Sequence, residues 1–409
     1  MARTSLDAVA VAAATARLSD VDRVLPDGRQ PVHTCYVPAS KVTGDVLRDW
    51  GAQALAALDE HPDALAAVLP EDLAPRIRER VRAKLVAEPV EDLRIDFEDG
   101  YGAPADEVED ADAERTAGIV AGWRDDGVLP PYVGLRMKSF DTRVLRERGI
   151  RTLDIFLTAL GDPPPGFVIT FPKVTSVDQV EVFGDVLDLF GIPLRFEIQV
   201  ETTQSIVDPE GRLAIPRFLA AGRGRVSGLH FGTYDYTAGC GLGAAHQHLA
   251  HGACDFARNV MQVSAANAGV RVSDGSTNVL PVGDAVAEGW RTHYGLVRRS
   301  LAHGFYQGWD LHPAQLVTRY AAVHAFYLEG VEADARRLKA YVERAGGTAF
   351  DGASAGKITS ALLDEPATAQ ALSSSFLRAV DCGALDEAEV LGVTGLRVED
   401  LEALASRKA

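Results

Sequence analysis

Short strand-like runs recur along most of the chain, and their spacing is the feature that most restricts its fold. The runs start roughly 30 to 40 residues apart after one longer first gap, which is the period of alternating strands and helices in an eight-fold barrel. We therefore predict an α/β protein, a TIM (β/α)8 barrel, with strands in the ranges 33–40, 93–102, 132–140, 167–174, 196–200, 228–231, 270–275 and 307–316.

The pattern changes after the eighth run, where helices and a glycine-rich turn follow. We predict a catalytic barrel with an N-terminal helix over residues 1–326 and a C-terminal helical cap over residues 327–409. This tail is too small and too polar to fold alone, so its expected place is over a barrel mouth, its own or a neighbour's. The chain has 409 residues and 47% hydrophobic content, which is enough to bury one large barrel core.

Composition excludes several classes of function. The formal net charge of −17 argues against a nucleic-acid partner, because phosphate binding needs an excess of Lys and Arg. No apolar run is long enough to span a membrane. The four cysteines form no CxxC pair, which argues against a disulfide framework and predicts a cytoplasmic protein: Cys35, Cys240, Cys254 and Cys382.

Two carboxylates follow neighbouring strands of the predicted barrel. Glu201 comes directly after the run 196–200, and Asp235 follows the run 228–231. About one helix separates the runs, so the strands are parallel neighbours and both side chains emerge at the carboxyl edge, where barrel enzymes place their chemistry. Paired carboxylates with no nearby Lys suit a hard divalent cation, and we predict Mg²⁺ or Mn²⁺ at this pair.

A set of motifs spans the predicted barrel in a fixed order. The chain contains YVPAS, DFEDG, LRMKSF, FPKVTSVDQV, VETTQSI, FGTYDYTAGCGL, SDG and GWDLHPAQL. This ordered set resembles the HpcH/HpaI aldolase and citrate lyase β-subunit superfamily, which includes malyl-CoA lyase-like and citramalyl-CoA lyase-like enzymes. The DFED and FGTYDY segments also look like malate synthase. The resemblance covers about residues 33 to 366.

The resemblance implies roles for residues at the strand ends. By similarity to the family, Glu201 and Asp235 bind magnesium, and Arg136 contacts the substrate carbonyl or the enolate oxygen. Glu98 and Asp99 are implied to lie close by and to hold metal waters and the arginine. The chain departs from simpler members of the family by an insertion between the first strand and DFED.

Further site residues are predicted beside these. Substrate contacts are expected from Lys173, Gly232 and Thr233 as well as from Arg136. By resemblance to the acyl-CoA lyases, Asp364 in LLDEP is a catalytic residue that reaches into an adjacent subunit, which implies a homo-oligomer, a trimer or hexamer.

The predicted function is a magnesium-dependent carbon–carbon lyase or synthase that acts on a 2-hydroxy or 2-oxo acid through an enolate. The acid would be an acyl-CoA thioester, so coenzyme A enters as part of the substrate. One alternative is a metal-dependent aldolase that joins pyruvate and an aldehyde without coenzyme A. Another is a non-catalytic barrel that serves as a binding subunit.

Single residues also have alternative interpretations. Arg136 could be a structural ion-pair partner of Glu98 or Asp99. Lys173 could be a Schiff-base nucleophile in a metal-free aldolase. A zinc site is disfavoured for the histidines of AAHQHLAH, because on a helix only two of the three share a face: His246, His248 and His251.

Overall fold

The computed structural model describes residues 7–17, 24, 26, 28–266, 268–346 and 365–406. This part of the chain forms one sheet of eight parallel strands, and each predicted strand is confirmed. The strands are β1 (His33–Pro38), β2 (Asp92–Asp96), β3 (Tyr132–Arg136), β4 (Phe167–Phe171), β5 (Phe196–Val200), β6 (Val226–Phe231), β7 (Arg271–Ser273) and β8 (Gly308–Asp310). Their order in the sheet is β7-β6-β5-β4-β3-β2-β1-β8.

The sheet is closed into a barrel by residues at its two edge strands. On one side β8 pairs with β1, and His33 lies opposite Gly308. On the other side β7 and β8 meet through hydrogen bonds from the residues that flank them. The backbone N–H of Asp274 donates to the carbonyl of Gln307 at 2.8 Å, and that of Trp309 donates to the carbonyl of Gly275 at 3.4 Å.

Helices connect the strands and continue beyond the last one. They are α1 (Ala8–Thr15), α2 (Val46–Glu60), α3 (Pro62–Ala66), α4 (Ala74–Ala87), α5 (Asp106–Asp126), α6 (Arg143–Leu160), α7 (Val177–Leu189), α8 (Ile215–Ala221), α9 (Thr233–Gly239), α10 (Gly252–Ala265), α11 (Val286–Ala302), α12 (Pro313–Leu328), α13 (Val331–Gly346), α14 (Pro366–Asp381), α15 (Glu387–Thr394) and α16 (Val398–Ser406). The prediction of a TIM barrel with a C-terminal helical extension is confirmed. Over the described residues, no helix combines the length and apolar character that a membrane span requires.

Strand β2 shows how the sequence separates the two faces of the barrel wall. Leu93 and Ile95 are buried in the apolar core, while the alternate position Arg94 points into the barrel. The Arg94 guanidinium reaches Thr170 on β4 and Glu197 on β5, which is possible only across the interior. Because side chains alternate along a strand, the charged positions of β2 share the inner face. The interior is therefore polar where most TIM barrels pack branched apolar side chains.

A glycine permits the close approach of two of these strands. A Cβ atom at Gly134 on β3 would collide with the backbone carbonyl of Val168 on β4. The neighbouring carbonyl is part of the β3–β4 pairing and cannot move without breaking it. This position accepts no side chain.

The C-terminal extension packs beside the amino-terminal side of the barrel. Arg378 on α14 lies over the ring of Tyr306, 4.1 Å from its centroid, and Tyr306 precedes β8. Nε2 of His324 on α12 donates to the carbonyl of Cys382 at 3.2 Å. The predicted boundary between residues 326 and 327 falls within α12, and the cap role of residues 327–409 stays a prediction.

Candidate active site

The carboxyl ends of five neighbouring strands, β2 to β6, bring most of the predicted site residues together. They lie at the barrel edge at which TIM-barrel enzymes hold their substrates. Glu98 and Asp99 follow β2, Arg136 ends β3, Lys173 follows β4, Glu201 follows β5, and Asp235 lies in the first turn of α9 after β6. Hydrogen bonds and ion pairs connect these side chains into one network.

Arg136 is held mainly by Asp96, the last residue of β2. Nε and Nη2 of Arg136 each donate to one carboxylate oxygen of Asp96 at 2.7 Å. Nη1 lies 3.2 Å from Oε2 of Glu98, and the guanidinium packs on the rings of Tyr36 and Trp309. Burial alone would lower the pKa of Arg136, but the Asp96 carboxylate raises it well above the usual value. Arg136 is thus a fixed, permanently charged group, and of its two predicted ion-pair partners it contacts Glu98.

Lys173 links three of the acidic side chains. Its ammonium donates to Glu98 and, at 2.7 Å, to Oδ2 of Asp99, and it lies 3.7 Å from Oδ2 of Asp235. Burial would lower the pKa of this ammonium, but Glu201 and Glu98 raise it above the usual value. The sequence-based premise that no Lys lies near the acidic pair was wrong. A Schiff-base role is disfavoured, because such a role needs a lysine pKa that is lowered.

Glu201 is buried beneath the mouth of the site. Its Oε1 accepts the backbone N–H of Lys173 at 2.8 Å, and its Oε2 accepts from the side-chain amide of Gln199. Burial, together with the nearby carboxylates of Glu98 and Asp235, raises the pKa of Glu201 to about 8 against the opposing effect of Lys173. This carboxylate therefore lies in an environment that is short of positive charge. Asp235, by contrast, is 45% exposed.

Gly232 and Thr233 lie at the junction of β6 and α9. A Cβ atom at Gly232 would collide with the side chain of Glu201, so the absence of a side chain at this position leaves room for Glu201. Thr233 is buried, and its hydroxyl has no hydrogen-bond partner among the described residues. Their predicted contacts with a substrate stay predictions.

A second layer of ion pairs fills the barrel below this site. Glu197 on β5 binds Arg94 at 3.0 Å and Nε2 of His230 at 2.8 Å, and Arg94 also contacts Asp92. Burial would raise the pKa of Glu197, but Arg94 and His230 lower it below the usual range. Glu197 is therefore a charge that these two partners hold within the barrel.

A cavity of about 200 Å³ lies below this layer, at the opposite end of the barrel. It is lined by Arg94, Glu197 and His230 together with residues at the amino ends of the strands, such as Tyr132 and Phe167. It shares no lining residue with the predicted site. The buried Arg94 layer therefore separates this cavity from the predicted site at the carboxyl edge.

Sequence reasoning missed four residues that build the site: Asp96, Gln199, Tyr36 and Trp309. A signal for Asp96 was present, because alternation of the apolar side chains 93, 95 and 97 places position 96 on the inner face. The same rule places Gln199 on the inner face with Glu201. Tyr36 and Trp309 had no comparable signal, since aromatic residues in a strand are usual in the core.

The residues of the network fit a hard divalent cation. Acidic side chains outnumber cationic ones in the network by three: Asp96, Glu98, Asp99, Glu201 and Asp235 against Arg136 and Lys173. Within the described ranges, no group of three or more His, Cys, Asp or Glu side chains forms a ready-made cage. Magnesium is commonly held by one or two carboxylates with water or substrate oxygens around the rest. Glu201 and Asp235 match that pattern.

Other predicted groups lie apart from this network or outside the described residues. Asp364 is outside the residues that the structure describes. His246 lies in a 3₁₀ turn and His248 in a loop, with the ring of His248 5.8 Å from that of His251. Nδ1 of His251 accepts the backbone N–H of Ala253 at the start of α10, so this histidine is a helix cap.

Comparison with known proteins gives a family but no curated relative. The model of a family described as "Domain of unknown function (DUF6986)" matches residues 17–409. No curated protein matches the chain.

The solved structures that are similar to this chain include the following three. Haloferax volcanii malate synthase in a magnesium and glyoxylate complex has 16% identity and a TM-score of 0.48, covering 93% of this chain and 99% of its own. RipC from Yersinia pestis has 17% identity and a TM-score of 0.46, covering 72% and 96%. An HpcH/HpaI aldolase/citrate lyase family protein from Burkholderia cenocepacia has 15% identity and a TM-score of 0.40, covering 72% and 92%.

Proposed function

Since the chain belongs to the DUF6986 family, described as a domain of unknown function, we propose its activity from the chemistry of its own site. The protein is a magnesium-dependent carbon–carbon lyase or synthase that acts on a small 2-hydroxy or 2-oxo acid as an acyl-CoA thioester. The observation that carries the proposal is the convergence of a buried arginine and an excess of carboxylates at the carboxyl ends of β2 to β6.

Glu201 and Asp235 are the residues that would hold the cation. A buried carboxylate with a raised pKa, next to further carboxylates, gains most from an added positive charge. When bound, magnesium would polarise the carbonyl or hydroxyl oxygen of an acid that chelates it. The order of the motifs along the chain supports the same assignment by resemblance.

Arg136 is positioned to stabilise an enolate. In the cleavage direction a carboxylate of the site takes the proton of the substrate hydroxyl, the adjacent carbon–carbon bond breaks, and an oxo acid and an enolate form. Negative charge then develops on the enolate oxygen, and a guanidinium that is already fixed by Asp96 stabilises it without rearrangement. Glu98 holds Nη1 of this arginine at the side of the mouth.

A proton must finally be added at the enolate carbon. We assign this step to Asp364, acting from an adjacent subunit, as the family resemblance implies. Backbone at Gly232 and Thr233 and the ammonium of Lys173 are proposed substrate contacts. Such a site needs an oligomer, and a trimer or hexamer in the cytoplasm is our proposal.

Calorimetric titration in the presence of Mg²⁺ tests the proposal with glyoxylate, pyruvate and oxaloacetate as ligands. We expect binding that disappears without Mg²⁺, and Glu201→Gln and Asp235→Asn should each weaken it by about a hundredfold, because each removes a charged ligand. Glu210→Gln is the control, since Glu210 is an exposed carboxylate in the same β5–α8 connection. Retention of magnesium-dependent binding in both site variants would contradict the metal assignment.

The same assay separates the alternative functions. Binding of acetyl-CoA at the site supports thioester chemistry. Binding of the free acids without any binding of acetyl-CoA supports an aldolase that uses free pyruvate. The absence of any magnesium-dependent ligand would leave only the non-catalytic binding barrel.

A further inference from the structure

The backbone of Lys173 adopts a conformation that residues with a Cβ atom rarely occupy. Its φ angle is +51°, in the left-handed region. Within the described ranges the other non-glycine residue with positive φ is Arg223, which lies in an exposed turn before Gly224. At Lys173 the conformation directs the backbone N–H to Oε1 of Glu201 at 2.8 Å. Strain of this kind persists where surrounding contacts impose it, and here those contacts belong to the site.

The side chain of Lys173 brings together carboxylates from two further segments. The ammonium contacts Glu98 and Asp99 after β2 and approaches Asp235 on α9 to 3.7 Å. Through its backbone and its side chain together, this residue therefore reaches acidic groups that follow three different strands. Because these acidic groups outnumber the cationic ones, the ammonium supplies charge that a bound cation would also supply.

We infer that Lys173 is a positioning residue whose ammonium holds the acidic side chains together in the metal-free protein and is displaced from Asp235 when a divalent cation enters. The inference rests on the proposed function, because it requires Glu201 and Asp235 to be the cation ligands. It makes the ammonium a competitor of the metal, since two positive charges at the same carboxylates repel one another. The backbone N–H keeps Glu201 in place throughout.

Binding of Mn²⁺, followed by electron paramagnetic resonance of the free ion, tests the inference in the full-length protein. Lys173→Met removes the ammonium and keeps the backbone N–H, and we expect Mn²⁺ to bind about tenfold more tightly. In EDTA the same variant should unfold at a lower temperature than wild type, and Mn²⁺ should raise its melting temperature by more. The control is Lys41→Met, which removes an exposed lysine in the turn after β1 and should leave Mn²⁺ affinity unchanged.

A second variant keeps the test decisive if the methionine variant folds poorly. Lys173→Gly also lacks the ammonium, and glycine adopts positive φ without strain, so the same gain in affinity is expected. Unchanged or weaker Mn²⁺ binding in the lysine variants overturns the inference while leaving the proposed function intact. A purely structural role of Lys173 would give that result together with a lower melting temperature.

The two proposals can also fail separately. If wild type binds no Mn²⁺ but Lys173→Met does, Lys173 excludes the ion as inferred, and the proposed magnesium dependence of the natural protein is wrong. If none of the proteins binds Mn²⁺, both proposals are rejected.

Discussion

Asp96 and Arg136 form a bidentate pair that is buried at the end of two adjacent strands. Two parallel hydrogen bonds fix the plane of the guanidinium as well as its position. Tyr36 and Trp309 cover it from below, so it has little freedom to turn. The remaining nitrogen, Nη1, is the one beside Glu98 at the mouth. The direction in which Arg136 presents its charge is thus set by a residue that itself touches no substrate in the proposal.

Replacing Asp96 should therefore affect both stability and activity. Asp96→Asn leaves the shape of the side chain but removes its charge, and loss of one partner of a buried pair costs roughly 3 kcal/mol. We also expect turnover to fall by about tenfold or more, because the oxyanion-stabilising group is no longer fixed. Urea unfolding and steady-state kinetics measure the two effects.

Asp99→Asn is the matched control for stability. The Asp99 side chain is 56% exposed and contacts Lys173, so its loss should cost less than about 1 kcal/mol. Equal losses of stability in the two variants would contradict the assigned role of Asp96.

The same residues show what sequence could predict at this scale. The strand pattern alone predicted one common edge for Glu98, Arg136, Glu201 and Asp235. Parallel strands end at the same edge of the sheet, and the alternation of side chains along each strand shows which residues face the barrel interior. The position of Lys173 near Asp235 was not predictable, since it depends on a backbone angle that a strand pattern does not specify.

Helix α12 is buried on almost every side, and its neighbours explain why. It lies among α2, α4, α11 and α14, so no face remains for solvent. A helix covered in this way carries few charged side chains unless they are paired. His324 is a buried, titratable side chain of α12 that contacts the C-terminal extension through the carbonyl of Cys382.

This contact should weaken in acid. Burial, with further effects of Arg80 and Lys84, lowers the pKa of His324 from 6.5 to about 4. The unfolded chain therefore binds a proton at higher pH than the folded one, so stability is complete above pH 6.5 and falls as the pH drops towards about 4. The shift corresponds to about 3 kcal/mol.

Urea unfolding at several pH values measures this dependence. His324→Gln keeps a donor for the carbonyl but does not titrate. Its free energy of unfolding should therefore fall between pH 6.5 and 4 by about 3 kcal/mol less than that of wild type. His303→Gln changes an exposed histidine and should retain the wild-type slope. A slope that is the same in all three proteins would show that His324 does not titrate in this range.

At the scale of the whole molecule, the C-terminal extension is attached to the barrel through its helical layer. Glu389 on α15 binds Arg76 and Arg80 on α4, and Arg80 also donates to the carbonyl of Gly383. The fold class, the eight strands and the extension were all predictable from the spacing of the runs. The side on which the extension packs was not, because that depends on which helix faces lack a partner within the barrel.

Truncation after residue 346 tests how far the extension is part of the same folding unit. Removal of α14 to α16 uncovers apolar surface on α12, and we expect a loss of roughly 3 kcal/mol or more of the free energy of unfolding. Glu389→Gln is the control that weakens only the ion pairs of Glu389 with Arg76 and Arg80, for which about 1 kcal/mol or less is expected. If the truncated chain unfolds at the same urea concentration as the full chain, the residues after 346 do not belong to the folding unit of the barrel.

The pairing of β8 with β1 has a consequence for synthesis on the ribosome. His33 is made long before its partner Gly308, and at 5–20 residues per second the interval is roughly 15 to 55 seconds. During this time one edge of β1 has no strand to pair with, although β2 can already cover the other. Unpaired edges are templates for association with other chains. The nascent barrel is therefore exposed longest at its first strand, and the last three residues of the sheet end that exposure.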